Sequence, residues 1–200
     1  NWIKPVSSPG RVNMSEVICS LNDALPDNAI IANGAGNYTA WVHRFYRYRT
    51  LGSQLAPTAG SMGYGLPAAV AAKLVQPHRP AIVFAGDGCF MMTGQELATA
   101  VQYQLSVVIV VVNNGMFGTI RMHQERRFPG RVIGTDLVNP DFCALAQAYG
   151  AHAERVEETA AFLPALRRAL DMSGPALIEL IVDPEAITPT RTLSDLKAGG

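Results

Sequence analysis

The chain has 200 residues, 48% of them apolar, with sixteen acidic and sixteen basic side chains and a formal net charge of zero. That length points to one large domain with ample apolar core, and the charge balance removes the basic excess that nucleic acid or an anionic membrane would require. No apolar run approaches the roughly 20 residues that span a bilayer, the N-terminal NWIKPVSSPG has no signal-peptide core, and Cys19, Cys89 and Cys143 are too scattered for a metal or disulfide framework, so they read as reduced thiols of a cytoplasmic protein.

Residues 1–12 read as a linker, with Pro5, Pro9 and Gly10; the first residue is Asn1, not methionine, as in a piece of a longer polypeptide. Asn13 and Glu16 have the spacing of a helix cap, and Val17, Ile18, Leu21 and Leu25 give that helix a buried face. Pro26-Asp27 turns the chain into a short strand, Ala29 to Ala32. The glycine-containing turn Asn33-Gly34-Ala35-Gly36-Asn37-Tyr38 opens a helix with Trp41 and Val42, a place where backbone N–H groups can meet an anion. Arg44, Arg47 and Arg49 alternate with Phe45, Tyr46 and Tyr48; in a neutral chain this run reads as a solvated helix end or a subunit contact. Residues 50–60 are expected as irregular loop, and Tyr64 to Val75 as a helix.

Two runs then dominate. Ala81 to Ala85 and Val107 to Val112 are apolar at every position, as in strands covered on both faces. The first ends in Gly86-Asp87-Gly88, the second in Asn113-Asn114-Gly115. Between them Thr93 and Glu96 have capping-box spacing, and Leu97, Ala98, Val101 and Leu105 form a helical stripe. A right-handed βαβ unit places Asp87 and Asn114 at one edge of one parallel sheet, where α/β sheets bind ligands. A carboxylate and an amide oxygen are hard donors suited to Mg²⁺ shared with phosphates. Either turn alone is ordinary strand-end chemistry; the pair across one βαβ unit is the signal.

Downstream, Phe117 to Gly130 carries Arg121, His123, Arg126 and Arg127, candidates for binding a carboxylate. His123 is a candidate proton shuttle, as histidines often are, against the plainer reading of a structural histidine. Asn139-Pro140 has the cap and first-turn preferences of a helix start, and Gly150 ends that helix. His152 to Val156 is a strand, Ala160 to Leu170 a helix with Pro164 awkwardly inside it, and Ala176 to Val182 a last strand. The domain is expected over 13–183, with 184–200 a polar tail that could reach a partner subunit. Alternating strands and helices make an α/β, doubly wound parallel sheet with helices on both faces.

GDG, then 24 residues (89–112), then NN resembles the thiamine-diphosphate motif of the acetolactate synthase, pyruvate oxidase and benzoylformate decarboxylase superfamily. Gly60-Ser61-Met62-Gly63-Tyr64-Gly65-Leu66-Pro67 and Asn33-Gly34-Ala35-Gly36-Asn37 carry the same resemblance, which covers about residues 12–185. It implies a diphosphate-binding domain of a thiamine-diphosphate- and Mg²⁺-dependent lyase or transferase acting on a small 2-oxo acid. Asp87, Asn114 and the backbone carbonyl of Met116 would be the metal ligands. Asn37, Tyr38, Gly86, Gly88, Cys89, Phe117 and Gly118 would meet the cofactor's diphosphate side. Gly60, Ser61 and Met62 would meet its aminopyrimidine ring, with the Met62 side chain wedged beneath; a plain core methionine is the alternative. Many relatives have Gln-His at Asn37-Tyr38, serine at Cys89 and, in true acetohydroxyacid synthases, tryptophan at His123.

The resemblance also implies what is missing. The activating glutamate belongs to a pyrimidine-binding domain of the same or another subunit and is not in this chain, so the chain alone is expected to be inactive and the enzyme a homodimer or homotetramer. FAD, which some relatives carry, finds no support here. A simple 2-oxo acid or oxalyl-type decarboxylase is the alternative enzyme, and a non-catalytic cofactor-binding or assembly module the alternative of another class. A nicotinamide site is disfavoured, since no strand opens into G-x-G-x-x-G.

Overall fold

The two all-apolar runs pair as neighbouring parallel strands, Ala81 opposite Val107 through Gly86 opposite Val112. They are the centre of a computed structural model that describes residues 3–198. In chain order the elements are α1 (Met14–Ala24), β1 (Ile30–Asn33), α2 (Thr39–Phe45), β2 (Gln54–Leu55), α3 (Gly65–Val75), β3 (Ala81–Gly86), α4 (Asp87–Phe90), a 3-10 turn (Gly94–Glu96) and α5 (Leu97–Gln102). The second half contains β4 (Val107–Asn113), α6 (Gly118–Arg127), α7 (Phe142–Ala148), β5 (His152–Val156), α8 (Thr159–Leu170), β6 (Ala176–Ile181) and α9 (Leu193–Ala198).

The sheet order is β2-β1-β3-β4-β6-β5, parallel throughout. From β1 the chain steps outward to β2, then returns past β1 to β3. That reversal opens a crevice between the carboxyl ends of β1 and β3. With right-handed crossovers, α3, α5 and α7 fall on one face and α2 and α8 on the other; α1 packs on α2 and α8. Both faces of the central strands are therefore covered. Ile82, Val83, Phe84, Ile109, Val110 and Val111 are fully buried, and the edge-to-face pair Phe90–Phe142 closes the core beside them at 5.6 Å. Among the described residues, no helix is long and apolar enough to cross a membrane.

Local expectations hold where a side chain has only its own helix to answer to. Asn13 caps α1 by accepting from the N–H groups of Ser15 and Glu16 and donating to Glu16. Elsewhere tertiary partners intervene. Thr93 caps nothing: its hydroxyl donates to the Gly63 carbonyl at 2.7 Å. The helix splits into α4, the 3-10 turn and α5, and Leu105 packs from the turn before β4. Ala98 is exposed, and Ala100 takes its place in the buried stripe. The loop 50–60 contains β2, which Ile31 and Ala32 recruit as an edge strand. Asp141, not Asn139, caps α7, accepting from the Ala144 N–H at 2.9 Å.

The C-terminal residues also differ from a polar tail. Ile187, Leu193 and Leu196 are buried with Met116 and Met122 in a small second core, so α9 packs on α6. Pro164 sits at the sixth position of α8 and deprives the Ala160 carbonyl of its helical donor. Both residues are exposed, so solvent can satisfy that carbonyl.

At the sheet edge, Arg168 donates to both oxygens of Glu154 at 2.9 and 2.6 Å, and His152 lies 2.8 Å from the same carboxylate. The Arg168 hydrogen bonds, then that of His152, hold the Glu154 carboxyl at about 2 against an ordinary 4.5. A carboxyl lowered on folding stabilises the fold above its unfolded pKa, and that stabilisation disappears as pH falls toward the folded one. Glu154→Gln should therefore lower the thermal midpoint at pH 6 and leave it almost unchanged at pH 2, as followed by circular dichroism. Equal losses at both pH values would mean that the charge is irrelevant.

Candidate functional site

Asp87 is the first residue of α4, directly after β3, and is only 3% exposed. One carboxylate oxygen, Oδ1, accepts from the N–H of Gly88 at 2.9 Å. The other, Oδ2, accepts from the N–H of Gly115 at 2.9 Å and from the Asn139 side-chain amide at 2.8 Å. All three donors are neutral. Among the described residues no basic side chain forms an ion pair with Asp87. Burial pushes its carboxyl above the ordinary value, and the hydrogen bonds from Asn139, Gly88 and Gly115 pull it back. A buried carboxylate without a counter-charge is costly unless a cation completes it.

The second strand end supplies the matching oxygen. Gly115 has φ +70°, a left-handed backbone that other residues rarely adopt. It lets the chain fold back so that the Gly115 N–H reaches Asp87 and the Asn113 side chain, at 2.9 and 3.1 Å. The Asn114 side-chain oxygen is held by its own loop through the Met116 N–H at 3.2 Å. Residues 135–137 pair back across this turn: Phe117 N–H donates to the Thr135 carbonyl and Leu137 N–H to the Gly115 carbonyl, both at 2.8 Å. Gly88 must be glycine for another reason. A Cβ there would lie 2.4 Å from the Phe117 ring.

A cavity of about 80 Å³ opens where these ends meet the turn after β1, at the strand-order reversal. Of the residues singled out in the sequence, Asn37, Tyr38, Met62, Gly86, Asp87 and Gly88 line it, and so do Cys89, Asn114, Met116, Phe117 and Gly118. Asp87 is the only carboxylate among the lining residues. Gly60 and Ser61 are exposed and outside the wall. His123 is exposed on α6 and also outside it. Arg121 is engaged with Glu125 and Asp136, at 3.2 Å each, and Arg126 and Arg127 are exposed.

Five further wall residues are not among those the sequence singles out as site residues: Ala35, Gly36, Val112, Thr119 and Ile120. Ala35 and Gly36 lie within the glycine turn after β1, so the turn itself is the available signal. Thr119 has none. Its hydroxyl donates to the Asn37 side-chain oxygen at 2.9 Å, while the Asn37 amide donates to the Ile187 carbonyl at 3.0 Å. These partners lie 82 and 150 residues away in sequence.

Cys89 and Tyr38 serve packing. The Cys89 sulfur accepts from the Gly63 N–H at 3.1 Å and the Tyr38 hydroxyl at 3.5 Å, fastening α4 to the loops after β1 and before α3. Burial, then the neighbouring Cys89, raises the Tyr38 phenol well above its ordinary value, so the hydroxyl stays a neutral donor. Met62 is half-buried at the cavity rim.

A second acidic group, Asp141 with Glu179 and Cys143, has ligand atoms within 4.8 Å of one another. Its counter-charge is already present. Arg155 donates to Glu179 at 2.8 Å and lies 3.2 Å from Asp141. Burial and the Glu179 charge push the Cys143 thiol up to about 11, which leaves it protonated and a poor metal ligand. Asp87 is different in having no such cation.

Residues 34–180 match the family described as "Thiamine pyrophosphate enzyme, C-terminal TPP binding domain". The chain is 35% identical over 158 residues to the mitochondrial acetolactate synthase catalytic subunit of Aspergillus candidus, covering 78% of this chain and 23% of that protein. It is 36% identical over 182 residues to the mitochondrial acetolactate synthase of Schizosaccharomyces pombe, covering 88% and 27%. Among solved structures it superposes on the thiamine diphosphate-dependent 4-hydroxybenzoylformate decarboxylase of Rhodococcus jostii RHA1 with a TM-score of 0.84 at 31% identity, covering 92% of this chain and 35% of that one. The chain thus spans about a quarter of these curated relatives. With the match running through both strand-end motifs, the chain belongs to the thiamine pyrophosphate enzyme family and constitutes its C-terminal, cofactor-binding domain.

Proposed function

We propose that this domain anchors thiamine diphosphate through Mg²⁺ in an acetolactate synthase-like enzyme that decarboxylates a 2-oxo acid and joins the product to a second carbonyl compound. The observation that carries the reading is the buried Asp87 carboxylate, which no base among the described residues pairs and which shares the cavity wall with Asn114. Mg²⁺ fits this donor set: one carboxylate, one amide oxygen and the Met116 carbonyl are hard ligands that leave net positive charge for a diphosphate. Asn37, held by Thr119 and Ile187, would meet the diphosphate, with Gly86 and Gly88 allowing close approach. Met62 would support the cofactor's ring system, and Phe117 and Ile120 would exclude water from the anchored end. Bound thiamine diphosphate supplies the electron sink that lets the carbon–carbon bond beside a carbonyl break.

His123 has no role in this reading, being outside the wall. Cofactor activation falls to a glutamate of a pyrimidine-binding domain, on the same or another subunit of a cytoplasmic homodimer or homotetramer. A second reading, a simple 2-oxo acid decarboxylase, draws support from the likeness to the Rhodococcus decarboxylase and from His123 in place of the synthase tryptophan.

Calorimetric titration of thiamine diphosphate into the full-length protein tests the anchor. Binding should need Mg²⁺, be abolished by EDTA, and weaken about 100-fold or more in Asp87→Ala, at or beyond the upper end of what altering a metal site's supporting contacts costs. Binding indifferent to both the metal and Asp87 would overturn the assignment. Product analysis with pyruvate separates the two readings: acetolactate is expected, and acetaldehyde alone would select the decarboxylase.

A further inference from the structure

Asn139 stands just before Pro140, in the segment joining α6 and α7, and is half-buried. Asp141 caps α7, so the Asn139 side chain is released for another purpose. Its amide nitrogen donates to Asp87 Oδ2 at 2.8 Å and to Asn113 Oδ1 at 2.9 Å. Asp87 comes directly after β3 and Asn113 ends β4. One side-chain amide thus spends both its hydrogens bridging the two strand ends from which the proposed metal ligands hang.

The orientation of that amide is dictated by what lies behind it. Asn113 donates through its own nitrogen to Glu179 Oε1 at 2.8 Å, and Glu179 Oε2 accepts from Arg155 at 2.8 Å. A carboxylate only accepts, so Asn113 must turn its nitrogen to Glu179 and its oxygen to Asn139. Asn139 must then present its nitrogen, which leaves the second hydrogen for Asp87. On Asp87, Oδ2 already takes two donors while Oδ1 takes one. The carboxylate cannot rotate without breaking the bridge, and its spare acceptor capacity stays on Oδ1.

We infer that Asn139 is a positioning residue for the metal site: it touches neither cofactor nor substrate, but holds the Asp87 carboxylate in one rotamer and at a set distance from the Asn113-Asn114 turn. This rests on the Mg²⁺ reading above. It predicts a loss of metal affinity rather than of fold or of chemistry.

The test is a Mg²⁺ titration of the full-length protein at fixed thiamine diphosphate, for wild type, Asn139→Ala and Asn139→Leu, beside thermal unfolding of the cofactor-free proteins. Leucine keeps the volume and removes the donors. Both variants should need about 10- to 100-fold more Mg²⁺, the range seen when a contact behind a metal ligand is removed. Their affinity for thiamine diphosphate should recover at saturating Mg²⁺, and their kcat there should equal that of wild type. Wild-type Mg²⁺ affinity in Asn139→Leu would overturn the inference, and so would a binding loss that excess Mg²⁺ does not restore. Failure of the wild type itself to bind cofactor in a Mg²⁺-dependent way would instead remove the anchor reading on which the inference stands.

Discussion

A carboxylate buried to 3% exposure, with no basic side chain among the described residues paired to it, is the constraint from which the rest of this domain can be read. Removing a charge from water costs several kcal/mol even after the protein relaxes. Three neutral donors offset part of that, and burial still leaves the carboxyl raised. The other buried acids are handled differently. Glu179, 1% exposed, is paired with Arg155, and Glu125, 2% exposed, with Arg121 and the Gly130 N–H. Asp87 alone among the three faces a cavity instead of a base. Its electrostatic deficit is local and directional, and the proposed Mg²⁺, shared with a diphosphate, would cancel it.

The fold exists to present that deficit. Parallel strands point all their carboxyl ends to one edge, and the reversal between β1 and β3 leaves a gap there. The apolar runs of β3 and β4 are buried on both faces and paired along their length, so Asp87 and Asn114 follow directly on two central, fully packed strands. The segment after β4 is held just as firmly. Residues 135–137 pair with 115–117, and α9 closes on α6 through Ile187, Leu193 and Leu196. Asn37 is fastened to both of these late elements, so the first and last portions of the wall hold each other in place.

The central strands were legible to within a residue, because alternation is suppressed only where both faces are buried. The GDG and NN turns were legible because the βαβ geometry requires them to meet. Thr93 and Asn139 misled for one common reason. Each has a residue type and spacing that local rules assign to a helix start, and each is claimed by a partner far away in sequence: the Gly63 carbonyl for Thr93, Asp87 and Asn113 for Asn139. Gly60 and Ser61 show the opposite limit. Their motif was visible, yet both are exposed and outside the cavity wall. Residues 184–198 looked like a polar tail because the larger buried side chains there, Ile187, Leu193 and Leu196, are spread among polar and charged ones.

The same electrostatic constraint bounds the chemistry. The family resemblance implies an acid that bonds the cofactor's pyrimidine ring, and under the proposed function such an acid would have to reach the cavity. Among the described residues Asp87 is the only carboxylate lining the wall, and three hydrogen bonds commit it to one orientation. Glu96 is bonded to Thr99 and Glu125 to Arg121 and Gly130, both away from the wall. The acids near the site are therefore already employed in holding charge or structure. A domain organised this way is suited to hold the cofactor's anionic end, and under the proposed function the activating carboxylate would come from a second domain.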